Sequence, residues 1–410
     1  MGCCDQAGLR PVGEAISLML KTTHPVTETE NVPLSTALDR ILAETLVAQH
    51  PVPAYDNSAM DGYALRSQDG TDGTVLEVVG EALAGHPFSG ELGPGQAVRI
   101  MTGAAMPDGA DAVVMQERVE RNGHTIRVVK WPRAGENVRR AGEDMAQGAT
   151  VLTAGERLSP AKLGVVAAMG YGQVRVFRRL RVAVFSTGDE LLPPGQPHVP
   201  GKIYESNTVV AVAMLRRAGF DVRDFGIVPD HPEAIAKTFR EADAWADAVI
   251  SSGGVSVGDA DYTKDVLSEL GYIEFWKLAI KPGKPFAFGR LNHSVFFGLP
   301  GNPVSAVVTL HQLALPVLRQ MAGEQVPKPI VVQAQLSHDV RKKPGRREFQ
   351  RAVISADDNG QLVVRNTGAQ GSGLLTSIAC ANGYLTLDEQ SAGAREGDGV
   401  PVMFFDAFIN

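Results

Sequence analysis

The sequence predicts a multidomain chain of α/β and β parts, and three observations carry that prediction. Between residues 180 and 321, short apolar runs at 182–185, 248–250 and 295–297 alternate with helix-patterned segments at 207–218, 232–246, 262–270 and 303–321. Continuous short apolar runs suit strands buried on both faces, so this region reads as a mostly parallel sheet with helices on both sides. From residue 50 to about 144, short β-rich runs at 74–79, 97–101, 112–115 and 125–129 are separated by Gly, Pro and Asp turns, which reads as a small β-rich domain. After Pro327 the helical signal stops, and runs at 331–336, 348–354, 361–365 and 384–387 predict a C-terminal β-barrel or sandwich of about 80 residues.

The flanking elements follow in order. Val12, Ala15, Ile16, Met19 and Leu20 mark one apolar face of an N-terminal helix. A second helix is expected from Ser35 or Thr36 through Leu38 and Leu42, until Pro51 and Pro53 break any helical continuation. Ser159-Pro160 is a helix start, with Ser as N-cap and Pro in the first turn, and a strand follows at 174–177. If these pieces pack on the N-terminal helices, the first domain is discontinuous.

Composition bounds the function. The 410 residues carry a formal charge of −7 with 6% aromatics, which disfavours broad nucleic-acid or anionic-membrane binding and base-stacking platforms. Cys3, Cys4 and Cys380 form neither a zinc spacing nor a disulfide framework, which suits the cytoplasm. Gln6 stands where a myristoylation pattern requires Ser or Thr, and no apolar run reads as a membrane span. The default expectation is a cytoplasmic protein acting on small molecules.

Three loops at the ends of α/β strands concentrate Gly and small hydroxyls: Ser186-Thr187-Gly188-Asp189-Glu190, the run from Ser251-Ser252-Gly253-Gly254 through Ser256 and Gly258 to Asp261, and Gly298-Leu299-Pro300-Gly301-Asn302-Pro303-Val304-Ser305. Ligands sit at such strand ends in open parallel sheets, where backbone N–H groups and hydroxyls can face an anion. Any one of these loops alone reads better as a tight turn requiring positive φ, and three in one sheet, all carrying hydroxyls, reverse that preference. There is no P-loop signature and no complete G-x-G-x-x-G. Lys281-Pro282-Gly283-Lys284-Pro285 adds two ammonium groups. A second basic run, Arg341-Lys342-Lys343 with Arg346, Arg347 and Arg351, reads mostly as an exposed hairpin, with Arg351 best placed to reach a ligand. Asp61, Asp144, Glu190, Asp230 and Asp261 occupy turn-like segments. Carboxylates facing a polyanion call for a hard divalent cation between them, although each alone also suits a turn or a helix cap, as Asp230 before His231-Pro232 does. The run Asp56-Asn57-Ser58-Ala59-Met60-Asp61-Gly62-Tyr63-Ala64 is denser in polar groups than a structural loop requires. The residues themselves lead to an anion site with a divalent metal and no further.

That run closely resembles the MoeA family of molybdopterin molybdenumtransferases, related to the E domain of gephyrin. Met101-Thr102-Gly103, Ala141-Gly142-Glu143-Asp144, Thr187-Gly188-Asp189-Glu190-Leu191, the 251–261 loop, 281–285 and 298–305 match it in order, so the resemblance spans essentially the whole chain. It implies a central three-layer α/β domain like that of molybdopterin adenylyltransferase (179–327), a discontinuous helical linker and dimerisation domain (8–50 and 145–178), a small β-rich domain (51–144) and a C-terminal β-barrel (328–410). It implies insertion of molybdate into adenylylated molybdopterin with release of AMP, dependent on Mg²⁺. The implied homodimer has a shared cleft, with Asp61, Thr102 and Asp144 acting in trans with Glu190, Asp230 and Asp261. Position by position, Glu190, Asp230 and Asp261 would handle Mg²⁺ and cleave the phosphoanhydride. Ser252, Gly253, Gly254, Ser256 and Gly258 would hold the pterin phosphate. Lys277, Lys281, Lys284, Asn302, Ser305, Arg351 and Ser372 would offer charge and donors to molybdate and the nucleotide phosphate. Implied partners are molybdopterin adenylyltransferase and downstream cofactor-maturation proteins. The segment Ile203-Tyr204-Glu205-Ser206-Asn207 departs from the family by carrying Glu-Ser before Asn, and the first ten residues have no assigned counterpart. A non-catalytic pterin carrier or scaffold, and an amidase-type protein sharing only the α/β fold, are the competing expectations.

Overall fold

In the computed structural model, residues 9–254, 262–275 and 277–409 are described. The chain forms two compact units: Met1–Glu30, Asp39–Ala43 and Val176–Asn410 in one, Asn31–Leu38 and Glu44–Arg175 in the other. The expected N-terminal helix is present as α1 (Val12–Thr22), with Val12, Ala15 and Met19 buried. The second expected helix is not. Only a 3-10 turn forms at Leu34–Thr36. Asp39 then takes φ +60, and Leu42 pairs as an extended residue with Val176. A left-handed residue ends helical propagation, and the edge pairing satisfies Leu42 better than a helix would.

The smaller unit is built on six strands, β1 (Gly62–Leu65), β2 (Val75–Ala82), β3 (Gln96–Ile100), β4 (Ala112–Met115), β5 (Val119–Asn122) and β6 (Thr125–Val128), in the order β4-β1-β3-β2-β6-β5. Only β2 and β3 are parallel. Alternate residues go to opposite sides: Tyr63 and Leu65 join one core, Ala64 the other. Helix α2 (Pro160–Ala168) starts as its sequence requires, Ser159 Oγ accepting the Lys162 N–H at 3.4 Å.

The larger unit holds the α/β sheet: β7 (Arg181–Thr187), β8 (Asp221–Val228), β9 (Ala248–Ser252), β10 (Tyr272–Phe275), β11 (Ala287–Arg290) and β12 (Val295–Leu299), ordered β8-β7-β9-β12-β11-β10. The first four are parallel, and β11 and β10 complete the sheet antiparallel. Val182, Val184, Ile250 and Phe297 face α1, α3 (Asn207–Arg217) and α6 (Pro303–Thr309). Their neighbours Ala183, Phe185, Val249 and Phe296 face α4 (Pro232–Trp245) and α5 (Tyr262–Leu270). The period of two thus splits each strand between two apolar layers, and the three-layer α/β arrangement follows. The 303–321 helix continues from α6 through a π turn at Leu310–Ala314 into α7 (Leu315–Met321). There the Leu315 N–H donates to Leu310 O five residues back, a widening that accommodates Pro316, which has no N–H and crowds the carbonyl four residues before it.

The C-terminal region closes into a five-stranded barrel from β13 (Val332–Leu336), β14 (Arg347–Ala356), β15 (Leu362–Asn366), β16 (Gly383–Leu387) and β17 (Gly399–Phe404), the circuit β14-β15-β13-β17-β16 returning to β14. Closure removes the exposed edges that a sandwich would leave. The two-residue strand Ile280–Lys281 adds to β14, tying the α/β part of this unit to its barrel. Among the described residues no helix is long and apolar enough to cross a membrane.

One side of the α/β sheet is sealed by an aromatic chain. Phe239 of α4 meets Phe185 edge-on at 5.1 Å and Phe296 at 5.5 Å. Phe239 is fully buried, so Phe239→Ala is expected to destabilise the larger unit by about 3–5 kcal/mol. Chemical denaturation monitored on this unit checks it, and a loss below ~1 kcal/mol would contradict the packing described.

Candidate functional site

The carboxyl ends of β7, β8, β9 and β12 open on one cavity of about 540 Å³. Its wall carries Ser186 and Thr187 at the end of β7, with Gly188 and Glu190 just after it, Asp230 after β8, Ser252, Gly253 and Gly254 at the end of β9, and Gly301 and Asn302 after β12. Of the residues singled out from sequence, Glu190, Asp230, Ser252, Gly253, Gly254 and Asn302 are therefore brought together. Ser256, Gly258 and Asp261 lie outside the described residues.

The glycines are needed for a geometric reason. Gly253 and Gly254 have φ of +87 and +65, and a Cβ on Gly254 would run into the hydroxyls of Thr263 and Thr187. The chain thus passes hard against a shelf of small hydroxyls. Ser186, Thr187, Ser251 and Thr263 are each at most 4% exposed, and their hydroxyl oxygens have no hydrogen-bond partner among the described residues. Buried polar atoms of this kind cost free energy unless something satisfies them, and three of the four line the cavity. Sequence reading missed Thr263: a Thr in the first turn of α5 carries no motif, and only the fold brings it beside Gly254.

The acidic rim has its own logic. The Asp230 N–H donates to Asp189 Oδ1 at 3.2 Å, which ties the loop after β7 to the loop after β8. Burial raises the Asp230 pKa above the usual carboxylate value; hydrogen bonding of its carboxylate by the Asp189 backbone N–H opposes this, and repulsion from Asp189 and Glu190 adds to it. Asp230 is not the helix cap expected from sequence. The N-cap of α4 is His231, with Pro232 in the first turn, which leaves the Asp230 side chain to the cavity. Among the described residues no three His, Cys, Asp or Glu side chains are arranged to hold a metal ion. The donor set fits Mg²⁺ nonetheless: Mg²⁺ takes one or two carboxylates and fills its remaining positions with water and substrate phosphate oxygens.

None of the basic residues singled out from sequence stands in the cavity wall. Pro285 lines the cavity, with Lys284 directly before it and Lys281 at the end of the two-residue strand that precedes the loop. Lys281 Nζ lies 3.0 Å from Glu348 Oε1, a carboxylate only 4% exposed. Three residues along β14, Arg351 is 1% exposed, its Nε donating to Ser377 Oγ at 2.9 Å and its Nη2 to Gly371 O at 3.0 Å. Burial lowers its pKa, and no carboxylate among the described residues pairs with it. Ser372, next to Gly371, accepts the Val304 N–H at 3.0 Å through its carbonyl, beside buried Ser305. Lys277 takes no part in the cavity wall; its carbonyl accepts the Arg10 N–H. The reading of 341–347 as an exposed hairpin is corrected at Lys342, which is 8% exposed and donates to Ser391 O at 2.9 Å.

In the smaller unit, Asp61 Oδ1 accepts both the N–H and the hydroxyl of Thr102 at 2.8 Å, because β1 pairs antiparallel with β3 and sets Gly62 opposite Ile100. Those two bonds hold the Asp61 pKa below the usual range. Asp144 is exposed on a turn pinned by its own N–H to Val52 O. Asp56 is structural. Its carboxylate accepts from the Ala141 N–H and the Arg140 guanidinium, stapling the 51–56 loop to the Asp144 turn.

A parallel sheet with hydroxyl and glycine loops at its carboxyl ends, and carboxylates on the same rim, is the α/β architecture in which ligands sit at the strand ends. The sequence matches the MoeA N-terminal region (domain I and II) over residues 10–170, a probable molybdopterin binding domain over 183–320, and the MoeA C-terminal region (domain IV) over 333–405. It is 42% identical to a molybdopterin molybdenumtransferase of Haemophilus influenzae, over 97% of this chain and 98% of that one. A Bacillus subtilis protein of the same name is 36% identical, over 92% and 90%. The fold is similar to the crystal structure of a molybdopterin biosynthesis MoeA protein from Pyrococcus horikoshii, with a TM-score of 0.83 and 31% identity over 97% of this chain and 100% of that one. The chain belongs to the MoeA family.

The raised pKa of Asp230 has a testable sign. Between the ordinary and the raised value the folded chain holds a proton that the unfolded chain has released, so stability falls as pH rises through that window. Carboxyl-resolved NMR titration should place Asp230 above a typical aspartate, and added Mg²⁺ should lower it. An ordinary titration unaffected by Mg²⁺ would contradict the acidic rim.

Proposed function

We propose that this protein is a molybdopterin molybdenumtransferase of molybdenum cofactor biosynthesis. It inserts molybdate into adenylylated molybdopterin and releases AMP in a Mg²⁺-dependent reaction. The observation that carries the reading is the single cavity in which Glu190 and Asp230 face the glycine and hydroxyl shelf, with Lys281 and Arg351 alongside. A phosphoanhydride needs donors for its oxygens, an acceptor for developing charge and positive charge for the incoming oxyanion, and these three sets meet those needs. Mg²⁺ held by Glu190 and Asp230, with Asp261, would supply electrostatic stabilisation of the leaving phosphate. Ser252, Gly253 and Gly254, with Ser256 and Gly258, hold the pterin phosphate. Lys277, Lys281, Lys284, Asn302, Ser305, Arg351 and Ser372 serve molybdate and the nucleotide phosphate.

The proposal includes a cytoplasmic homodimer in which Asp61, Thr102 and Asp144 complete the partner's cleft, and the four-domain division at residues 50, 144, 178 and 327. Its partners are molybdopterin adenylyltransferase upstream and cofactor-maturation proteins downstream. Nucleic acid and membrane have no role in it.

Asp230→Ala and Asp61→Ala are each expected to keep the fold by circular dichroism and to lose AMP release on the order of 100-fold. Unchanged turnover in either would remove that residue from the site. Equilibrium ligand binding with no AMP release under any metal condition would instead favour a carrier. Mixing the two inactive variants is expected to restore activity, since one cleft of the mixed dimer would be intact. No recovery, together with an active monomer in sedimentation, would refute the shared cleft.

A further inference from the structure

Asn207 opens α3 at the cavity wall, and its amide nitrogen lies 2.8 Å from Ser252 Oγ and 2.8 Å from Gly301 O. One side chain therefore joins the loop after β9 to the loop after β12. The orientation of the amide is fixed by chemistry: a backbone carbonyl only accepts, so the atom facing Gly301 must be the NH₂ group. Both of its hydrogens are then committed, one to Gly301 O and one to Ser252 Oγ. The Ser252 oxygen becomes an acceptor toward Asn207, and its own proton must be given elsewhere. Ser252 is 2% exposed and lines the cavity, and no other partner for its hydroxyl exists among the described residues. A buried O–H in that position is left to donate into the cavity.

The turn that carries Asn207 is itself held. Glu205 is 5% exposed, and its Oε1 accepts the Thr208 N–H at 2.7 Å, while its own N–H donates to Leu192 O at 2.9 Å. The Glu205-Ser206 pair that departs from the family pattern thus supplies a buried brace directly before Asn207.

We infer that Asn207 is a positioning residue that fixes Ser252 as a hydrogen-bond donor to a phosphate group bound in the α/β cavity. The inference deepens the reading given under Proposed function and rests on it for the identity of the ligand. Asn207 touches no reacting atom in this scheme and acts only through Ser252 and the Gly301 loop. An amide is required: aspartate would present a carboxylate to the Gly301 carbonyl and would take the Ser252 proton for itself.

The test is a double-mutant cycle on the full-length protein with adenylylated molybdopterin, read both as equilibrium Kd and as kcat and KM for AMP release. Ser252→Ala is expected to weaken binding about 10-fold, the usual effect of losing a donor to a charged group, and Asn207→Ala by a similar factor, with kcat little changed. In the Ser252→Ala background, Asn207→Ala should add less than about a 2-fold further loss, because its target is already gone. Thermal melts establish folding, and Asn207→Ser carries the same cycle should Asn207→Ala not fold. Wild-type affinity in Asn207→Ala, or the same loss with and without Ser252, would overturn the inference. If the unmodified protein binds the ligand without releasing AMP, the catalytic reading fails while the cycle in Kd still decides the role of Asn207. No binding by the unmodified protein overturns both.

Discussion

Burial of the parallel sheet on both faces is the constraint on which the rest depends. Every residue of β9 and β12 is buried, and β7 is buried after its first residue. Such strands cannot carry polar chemistry along their length, because each side chain lies in one of two apolar layers. Polar function is displaced to the carboxyl ends, where Thr187, Ser252 and Gly301 meet. The same ends need sharp turns, so glycine and small hydroxyls collect there for steric reasons, and those residue types also bind phosphate. Packing and chemistry thus select the same residues at the same place.

Charge follows from that geometry. The hydroxyl shelf leaves unmet hydrogen-bonding capacity in a nearly dry wall, while Asp189, Glu190 and Asp230 crowd at its rim. Each feature is unfavourable alone. A ligand that combines phosphate with a divalent cation relieves both, by accepting from the hydroxyls and offsetting the carboxylates. Beyond the rim, Lys281 and Arg351 sit on neighbouring strands in contrasting states. Lys281 is paired with Glu348, whereas Arg351 is held by neutral Ser377 and Gly371, with no carboxylate paired to it among the described residues.

The elements legible in the sequence were those whose pattern is local. The 262–270 helix, the 112–115 strand and the Ser159 cap follow from periodicity and capping chemistry over a few residues. Strand β8 escaped because it is an edge strand, Asp221, Arg223 and Asp224 being exposed, and so has no continuous apolar run. The failed 35–42 helix kept an apolar spacing, but Asp39 adopts a left-handed conformation that spacing does not report. For the site, motif residues such as Glu190, Ser252 and Gly254 were legible because turns restrict composition. Asn207 and Thr263 were absent from the expected set because their value lies in contacts across 45 and 9 residues of chain, with Ser252 and Gly254 respectively. A helix-opening Asn and a buried Thr are ordinary until the sheet order sets them at one rim.

The central claim is that the rim of β7, β9 and β12 is a phosphate site bordered by carboxylates and served by adjacent cations. The most direct measurement is a crystal structure of the protein soaked with adenylylated molybdopterin, Mg²⁺ and molybdate. The expected result is a phosphate group within hydrogen-bond distance of Ser252 Oγ and the Gly253–Gly254 backbone, with the cation between that ligand and Glu190 or Asp230. Ligand bound elsewhere, with this rim holding only water, would contradict the claim.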